Sequence, residues 1–479
     1  MTYPDLHMII DGEHVGLGSR QSESVLNPAT GEALARLPHA SAEDLERAIG
    51  AARRAFETWR TTAPIERGRI LRRGAALMRE RVEAMARIMS LEQGKPIAEA
   101  RAELLYGADV IDWYAEEGRR AYGRIVPAAS ANIRQMVIRE PVGVAAAFTP
   151  WNFPALTPCR KIGGALAAGC ALVLKAAEET PGTAIEIVRA LHDAGLPNGV
   201  LNLVFGKPAQ VSAHLLASPL VKKISFTGST PVGKALMKQA AEGLKRTTME
   251  LGGHAPVLVF ADADVERAAA LLAAAKFRNA GQVCISPSRF YVQEQAFSRF
   301  ADTFTAAAKA LRVGAGVEEG VTMGPLANER RLAAMERLVA DAIARGGQLR
   351  TGGKRIGNAG NFFEPTVITD APDDSLIMTE EPFGPVAPIV RFKDTAEALA
   401  RANSLPFGLA AFAFTRDNAT AMEVGDGLKA GMVGINSMAI STPEAPFGGV
   451  GESGHGQEGG IEGLDAYLDV KLIAQARAV

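Results

Sequence analysis

The sequence predicts an α/β protein built from a doubly wound parallel sheet, a second α/β unit and a small β element outside both. Three observations carry this. Short apolar or β-branched runs alternate with helical stretches over residues 142–243, the pattern of strands joined by helical crossovers. The same alternation resumes over 252–431. At 479 residues the chain also exceeds one ordinary core of roughly 100 to 200 residues, so two or three units are expected.

In order along the chain, 42–61, 64–93 and 96–117 read as helices rich in Ala, Arg and Glu. Strands of the first sheet are expected at 142–148, 171–176, 200–205 and 223–226, with helices at 161–169, 183–194, 209–216 and 231–243. The second unit offers strands at 257–260, 289–292, 363–368 and 411–414. Residues 124–139 read as a protruding strand pair, and 467–474 alternate like a final strand that must be paired to avoid aggregation.

Composition narrows the function. Hydrophobic residues at 47% with 22% charged describe a soluble globular protein, neither disordered nor membrane-embedded. The 52 Lys and Arg nearly cancel the 53 Asp and Glu, so no global field draws nucleic acid or an anionic membrane. No basic leader with an apolar run opens the chain, and no apolar run reaches the roughly 18 to 20 residues of a membrane span. The three cysteines, Cys159, Cys170 and Cys284, are too few and scattered for a disulfide framework or a metal site, and a reducing cytoplasm is expected.

Chemistry concentrates in three segments: Phe277-Arg278-Asn279-Ala280-Gly281-Gln282-Val283-Cys284, Met249-Glu250-Leu251-Gly252-Gly253 and Trp151-Asn152-Phe153-Pro154. A thiol, a carboxylate and a carboxamide are what covalent oxidation of an aldehyde needs. A cysteine such as Cys284 can attack the carbonyl, an asparagine amide such as that of Asn152 can donate to the oxyanion, and a glutamate such as Glu250 can activate the water that cleaves the thioester. Cys159 and Cys170 read as buried structural thiols. A free thiol is only a few per cent ionised at neutral pH, so Cys284 needs a helpful environment or a base. His254, just after the two glycines, raises the alternative of a cysteine hydrolase but reads as a hydrogen-bonded neighbour.

Together these segments, and the spacing of Glu250 to Cys284, resemble the aldehyde dehydrogenase superfamily from about Ile10 onward. The resemblance implies a Rossmann-like NAD-binding domain at 1–123 and 140–251 and a catalytic domain at 252–431. It further implies an oligomerisation flap at 124–139 and 465–479, a returning segment at 432–464 that completes the active site, and assembly as a homodimer or homotetramer. Gly228, Ser229 and Gly233 follow a strand and open a helix, where a pyrophosphate is met. By resemblance Lys175 and Glu178 contact the adenosine ribose, and a carboxylate there accepts from a 2′-hydroxyl and repels a 2′-phosphate, favouring NAD over NADP. Glu381 would bind the nicotinamide ribose, with Phe383 and Trp151 beside the cofactor.

Arg160, Arg278 and Ser441 match positions at which succinate-semialdehyde dehydrogenases grip the distal carboxylate of the substrate. Relatives that transfer the acyl group to coenzyme A generally lack the glutamate, so Glu250 favours release of a free acid. Ser286 stands where some of these enzymes carry a second cysteine, which removes a local disulfide switch. Gly252-Gly253-His254-Ala255-Pro256 also resembles α-ketoglutarate-semialdehyde dehydrogenases, so a longer oxo-acid is the alternative substrate. Gly451, where lysine is common, has no functional account from sequence.

Overall fold

A strand covered on both faces needs no alternation, and Val144–Phe148 (β1), reading Val-Ala-Ala-Ala-Phe, is buried throughout. In the computed structural model, which describes residues 3–476, it lies in an eight-stranded sheet. Ala171–Lys175 (β2) and Leu201–Val204 (β3) follow on one side of it, and Val221–Thr227 (β4) and Arg246–Glu250 (β5) on the other, all parallel. The order therefore reverses between β1 and β4, where open α/β sheets leave a crevice beyond the carboxyl ends of their strands. Met8–Ile10 and Glu13–Val15 extend the sheet past β3, and Gly454–His455 closes the edge beside β5, all antiparallel. These short edges were not foreseen, because two or three residues carry no periodicity.

The second sheet has seven strands. Ala255–Val259 (β6), Pro287–Gln293 (β7), Thr366–Thr369 (β8), Val386–Phe392 (β9), Ala410–Phe414 (β10) and Met432–Ile435 (β11) are parallel, in the spatial order β8, β9, β7, β6, β10, β11. Gln348–Thr351 runs antiparallel outside β8. Three expectations change here. Strand β9 escaped notice because Pro385 precedes it and Pro388 lies inside it, which reads as a non-strand. The strand expected at 363–368 shifts to β8, with Phe363 making only an isolated bridge to Arg355. And β11 lies beyond residue 431, so the returning segment begins as the edge of this sheet.

Ser41 and Asp44 form a capping box that starts helix Ala42–Trp59. The long helix expected at 64–93 breaks at Arg81 (φ −98°, ψ 7°) into Pro64–Glu80 and Val82–Gln93. Helix Ile97–Glu117 follows after a tight turn at Gly94, whose φ of 97° favours glycine. Arg124–Val126, Ile133–Pro141 and Leu468–Ala476 make a separate three-stranded antiparallel sheet, with Leu468 opposite Pro141 and Ala476 opposite Ile133. No helix among the described residues is long and apolar enough to cross a membrane.

Candidate active site

The chain passes from β5 to β6 through Leu251-Gly252-Gly253-His254, so the carboxyl edge of the first sheet meets the amino edge of the second. A cleft of about 800 Å³ lies along this seam. Gly252 and Gly253 serve close approach here: a Cβ on Gly252 would lie 2.5 Å from Glu381 Oε2, and one on Gly253 3.0 Å from the Leu409 side chain. Neither has a positive φ, so glycine is required at this pair by packing and not by backbone conformation.

Cys284 sits on the loop entering β7, half-buried on the cleft wall. Before it, Asn279, Ala280 and Gly281 hold left-handed backbone (φ 50°, 52° and 73°), a conformation that surrounding structure must over-determine. A Cβ on Gly281 would come 2.1 Å from the Gly384 carbonyl oxygen, so this loop presses on the segment carrying Glu381. Loss of water pushes the Cys284 thiol up to about 12, the Glu381 and Glu250 carboxylates add to this, and Arg160 opposes it. The resting sulfur is therefore a neutral thiol.

Glu250 ends β5, buried and facing the cleft, with neither carboxylate oxygen hydrogen-bonded. Burial, then the nearby Glu458, holds its carboxyl well above the usual range, while Lys161 and Arg160 draw it down. Glu458 itself is paired with buried Lys161 at 2.5 Å and with Ser225 at 3.2 Å. Asn152, just past β1, is also buried and donates from Nδ2 to the Gln282 carbonyl at 3.1 Å, using one of its two amide protons. Thiol, carboxylate and carboxamide thus line one cleft.

Arg160 projects from helix Leu156–Ala168 into the same cleft. Its guanidinium donates to Ser441 Oγ at 2.8 Å and lies 3.9 Å from the Phe447 ring centroid, although Arg160 is only 6% exposed. Arg278 is exposed, with its guanidinium 5.5 Å from the Phe153 ring. A buried cation whose partners are a hydroxyl and a ring face is poised for an anion.

The cofactor candidates divide. Ser229 starts helix Thr230–Glu242 without a side-chain cap bond, leaving its hydroxyl and the first helix amides open beside Gly228. Glu381 lines the cleft and accepts from the Gly253 amide at 3.1 Å, with its carboxyl raised to about 7 by burial. Trp151 and Phe383 meet edge to face at 5.5 Å. A helix N-terminus, a carboxylate and an aromatic wall fit a nicotinamide dinucleotide. Gly233 does not line the cleft; a Cβ there would strike Leu251 at 2.4 Å, so it serves helix packing. Lys175 and Glu178, at the end of β2, lie outside the lining and pair with each other at 2.7 Å.

His254 is buried, with Ser288 Oγ at 2.8 Å from Nδ1 and the Ile377 carbonyl at 3.1 Å from Nε2. With both nitrogens engaged and burial holding it neutral, it is no partner for Cys284. Gly451 has φ 62°, and a Cβ there would stand 2.6 Å from the Pro406 carbonyl, a structural reason for glycine. Sequence reasoning missed Tyr106, whose hydroxyl is 3.2 Å from Ser441 Oγ, and Lys95, Phe447 and Glu458. Only the helix break at Gly94-Lys95-Pro96 could have drawn attention to one of them.

Comparison with known proteins agrees with this geometry. The sequence matches the aldehyde dehydrogenase family over residues 17–473. A putative 4-(hydroxymethyl)benzenesulfonate dehydrogenase of Comamonas testosteroni is 49% identical over 466 residues, 97% of each chain. The succinate-semialdehyde dehydrogenase [NADP(+)] of Escherichia coli is 46% identical, covering 97% of this chain and 96% of that one. A crystal structure of succinate-semialdehyde dehydrogenase from Burkholderia pseudomallei superposes with a TM-score of 0.97 at 45% identity, covering 98% of both chains. Likeness that runs nearly end to end, in sequence and in backbone, leaves one assignment: this chain belongs to the aldehyde dehydrogenase family.

Proposed function

We propose that the protein oxidises a short aldehyde with a distal carboxylate, succinate semialdehyde, to the free diacid with NAD. The observation that carries this reading is Arg160, buried in the cleft of Cys284 with Ser441 and Phe447 as its partners and Arg278 on the same wall. Burying a guanidinium without a carboxylate is costly, and an incoming substrate carboxylate offsets that cost.

In this mechanism the sulfur of Cys284 adds to the aldehyde carbon as its proton passes to solvent water. Asn152, with the Cys284 backbone amide, donates to the oxyanion of the thiohemiacetal. NAD, when bound, supplies the two-electron acceptor that turns this adduct into a thioester. Glu250 then takes a proton from water, which attacks the acyl carbon and releases the acid and the thiol. Ser229 and Gly228 would hold the pyrophosphate, Glu381 the nicotinamide ribose, and Lys175 with Glu178 the adenosine ribose. The Lys175–Glu178 pair offers one donor and one acceptor, which suits two ribose hydroxyls and supports NAD.

The comparisons favour a second anion. The relative named for a benzenesulfonate shows that a protein 49% identical is assigned a sulfonated substrate, and a guanidinium pair accepts either anion. We also infer that the flap sheet pairs with that of a second copy, giving a homodimer or homotetramer.

The test compares kcat/KM for succinate semialdehyde and butanal. Arg160→Ala or Arg278→Ala should lower the first by on the order of 10- to 100-fold, from a charge-assisted bond worth about 1.5 to 3 kcal/mol. Butanal should lose far less. Equal losses on both aldehydes would remove the substrate assignment.

A further inference from the structure

We propose that Lys95 and Glu103 are a positioning pair for Asn152, an inference that rests on the oxyanion-donor role proposed above for that residue. Both are buried, 2% and 6% exposed, and paired with each other. Lys95 Nζ also donates to the backbone carbonyl of Asn152 at 2.9 Å. The other carboxylate oxygen of Glu103 accepts from the amides of Ala155 at 2.8 Å and Leu156 at 3.1 Å, where the next helix begins. One ion pair therefore grips the Asn152 loop at both ends.

A second set of bonds ties this grip to the nucleophile loop. Gln93 Nε2 donates to Asn279 Oδ1 at 2.9 Å, and Asn279 Nδ2 donates to the Asn152 carbonyl at 2.9 Å. Glu99 accepts from the Asn279 amide at 2.8 Å, which helps hold Asn279 in its left-handed conformation. Asn279 Nδ2 also reaches the Gln282 carbonyl at 3.2 Å, the same atom that receives the Asn152 side chain. The turn from Gln93 to Lys95 is itself pinned, since a Cβ on Gly94 would lie 2.8 Å from Pro325.

A buried ion pair is weak support for stability, because well-packed apolar residues often do as well. An apolar pair could not supply a donor for the Asn152 carbonyl or acceptors for two amides. That distinguishes positioning from packing. The polar atoms of Lys95 and Glu103 are spent on each other and on the backbone of Asn152, Ala155 and Leu156, so neither is assigned contact with the reacting atoms.

The experiment is single-turnover NADH formation with enzyme in excess over succinate semialdehyde, using the charge-neutral variant Lys95→Met/Glu103→Gln, in which glutamine keeps an acceptor. The rate should fall on the order of 10²-fold, the scale of a small misplacement of a reacting group. KM and NAD affinity should stay within about threefold, since neither site is touched. Combining the variant with Asn152→Ala should be no worse than Asn152→Ala alone, because both remove the same donor. A native rate in the neutral variant, losses that multiply, or a variant that fails to fold would each overturn the pair's role. A native rate in Asn152→Ala itself would refute the oxyanion reading, and the positioning proposal with it.

Discussion

At the scale of single residues the site turns on two displaced ionisations. Cys284 rests as a thiol and Glu250 holds its proton well above the ordinary carboxylate range. A base works only when deprotonated, so kcat should fall as pH drops through a value well above that of a free glutamate. Stability follows the opposite sense. The folded state binds the Glu250 proton more tightly than the unfolded chain, so stability declines as pH rises from the unfolded value towards the raised folded one. Glu250→Gln should lower the steady-state rate on the order of 10²- to 10⁴-fold, slow single-turnover NADH formation far less, and leave Tm at pH 8 no lower than native. Equal losses in both kinetic phases would move Glu250 from deacylation to thiol activation. Cys284, Glu250 and Asn152 were picked out in the sequence because a thiol, a carboxylate and a carboxamide stand in three segments that together resemble the aldehyde dehydrogenase superfamily. Glu103 and Tyr106 were not, since they sit in ordinary helical sequence, nor was Lys95, whose only local mark is the turn before that helix; all three reach the site through the fold.

At the scale of elements, the NAD preference proposed above rests on the carboxyl end of β2. Glu178 is held by Lys175 and receives the Gly206 amide at 3.4 Å, so its carboxylate is fixed where the strand stops. Glu178→Ser should raise the NADP to NAD ratio of kcat/KM on the order of 10- to 100-fold, the worth of one charge-assisted contact. Steady-state kinetics with both cofactors decide it, and an unmodified enzyme using both equally would sink the NAD preference. Strands β1 to β4 with the helices between them, and β6, β7 and β10 of the second sheet, were legible from apolar runs and their spacing. Strand β9 was hidden by two prolines, and the edge strands Met8–Ile10 and Gly454–His455 by brevity. Their pairing is dictated by neighbours distant in sequence, which no local window contains.

For the molecule as a whole, the three-stranded flap stands outside both sheets and exposes Ile125, Val470 and Leu472. In the homo-oligomer proposed above, a second copy would cover these exposed apolar side chains. Leu472→Asp with Val470→Asp should shift the protein to smaller species in light scattering while leaving its far-UV circular dichroism unchanged. An unchanged mass would place any interface elsewhere. The enclosure of Cys284 by both sheets has one more consequence. With burial holding the thiol far above its ordinary range, the resting sulfur stays protonated at neutral pH. Peroxide and alkylating reagents consume thiolates, so the idle enzyme is spared the oxidative damage that a permanently ionised nucleophile would invite.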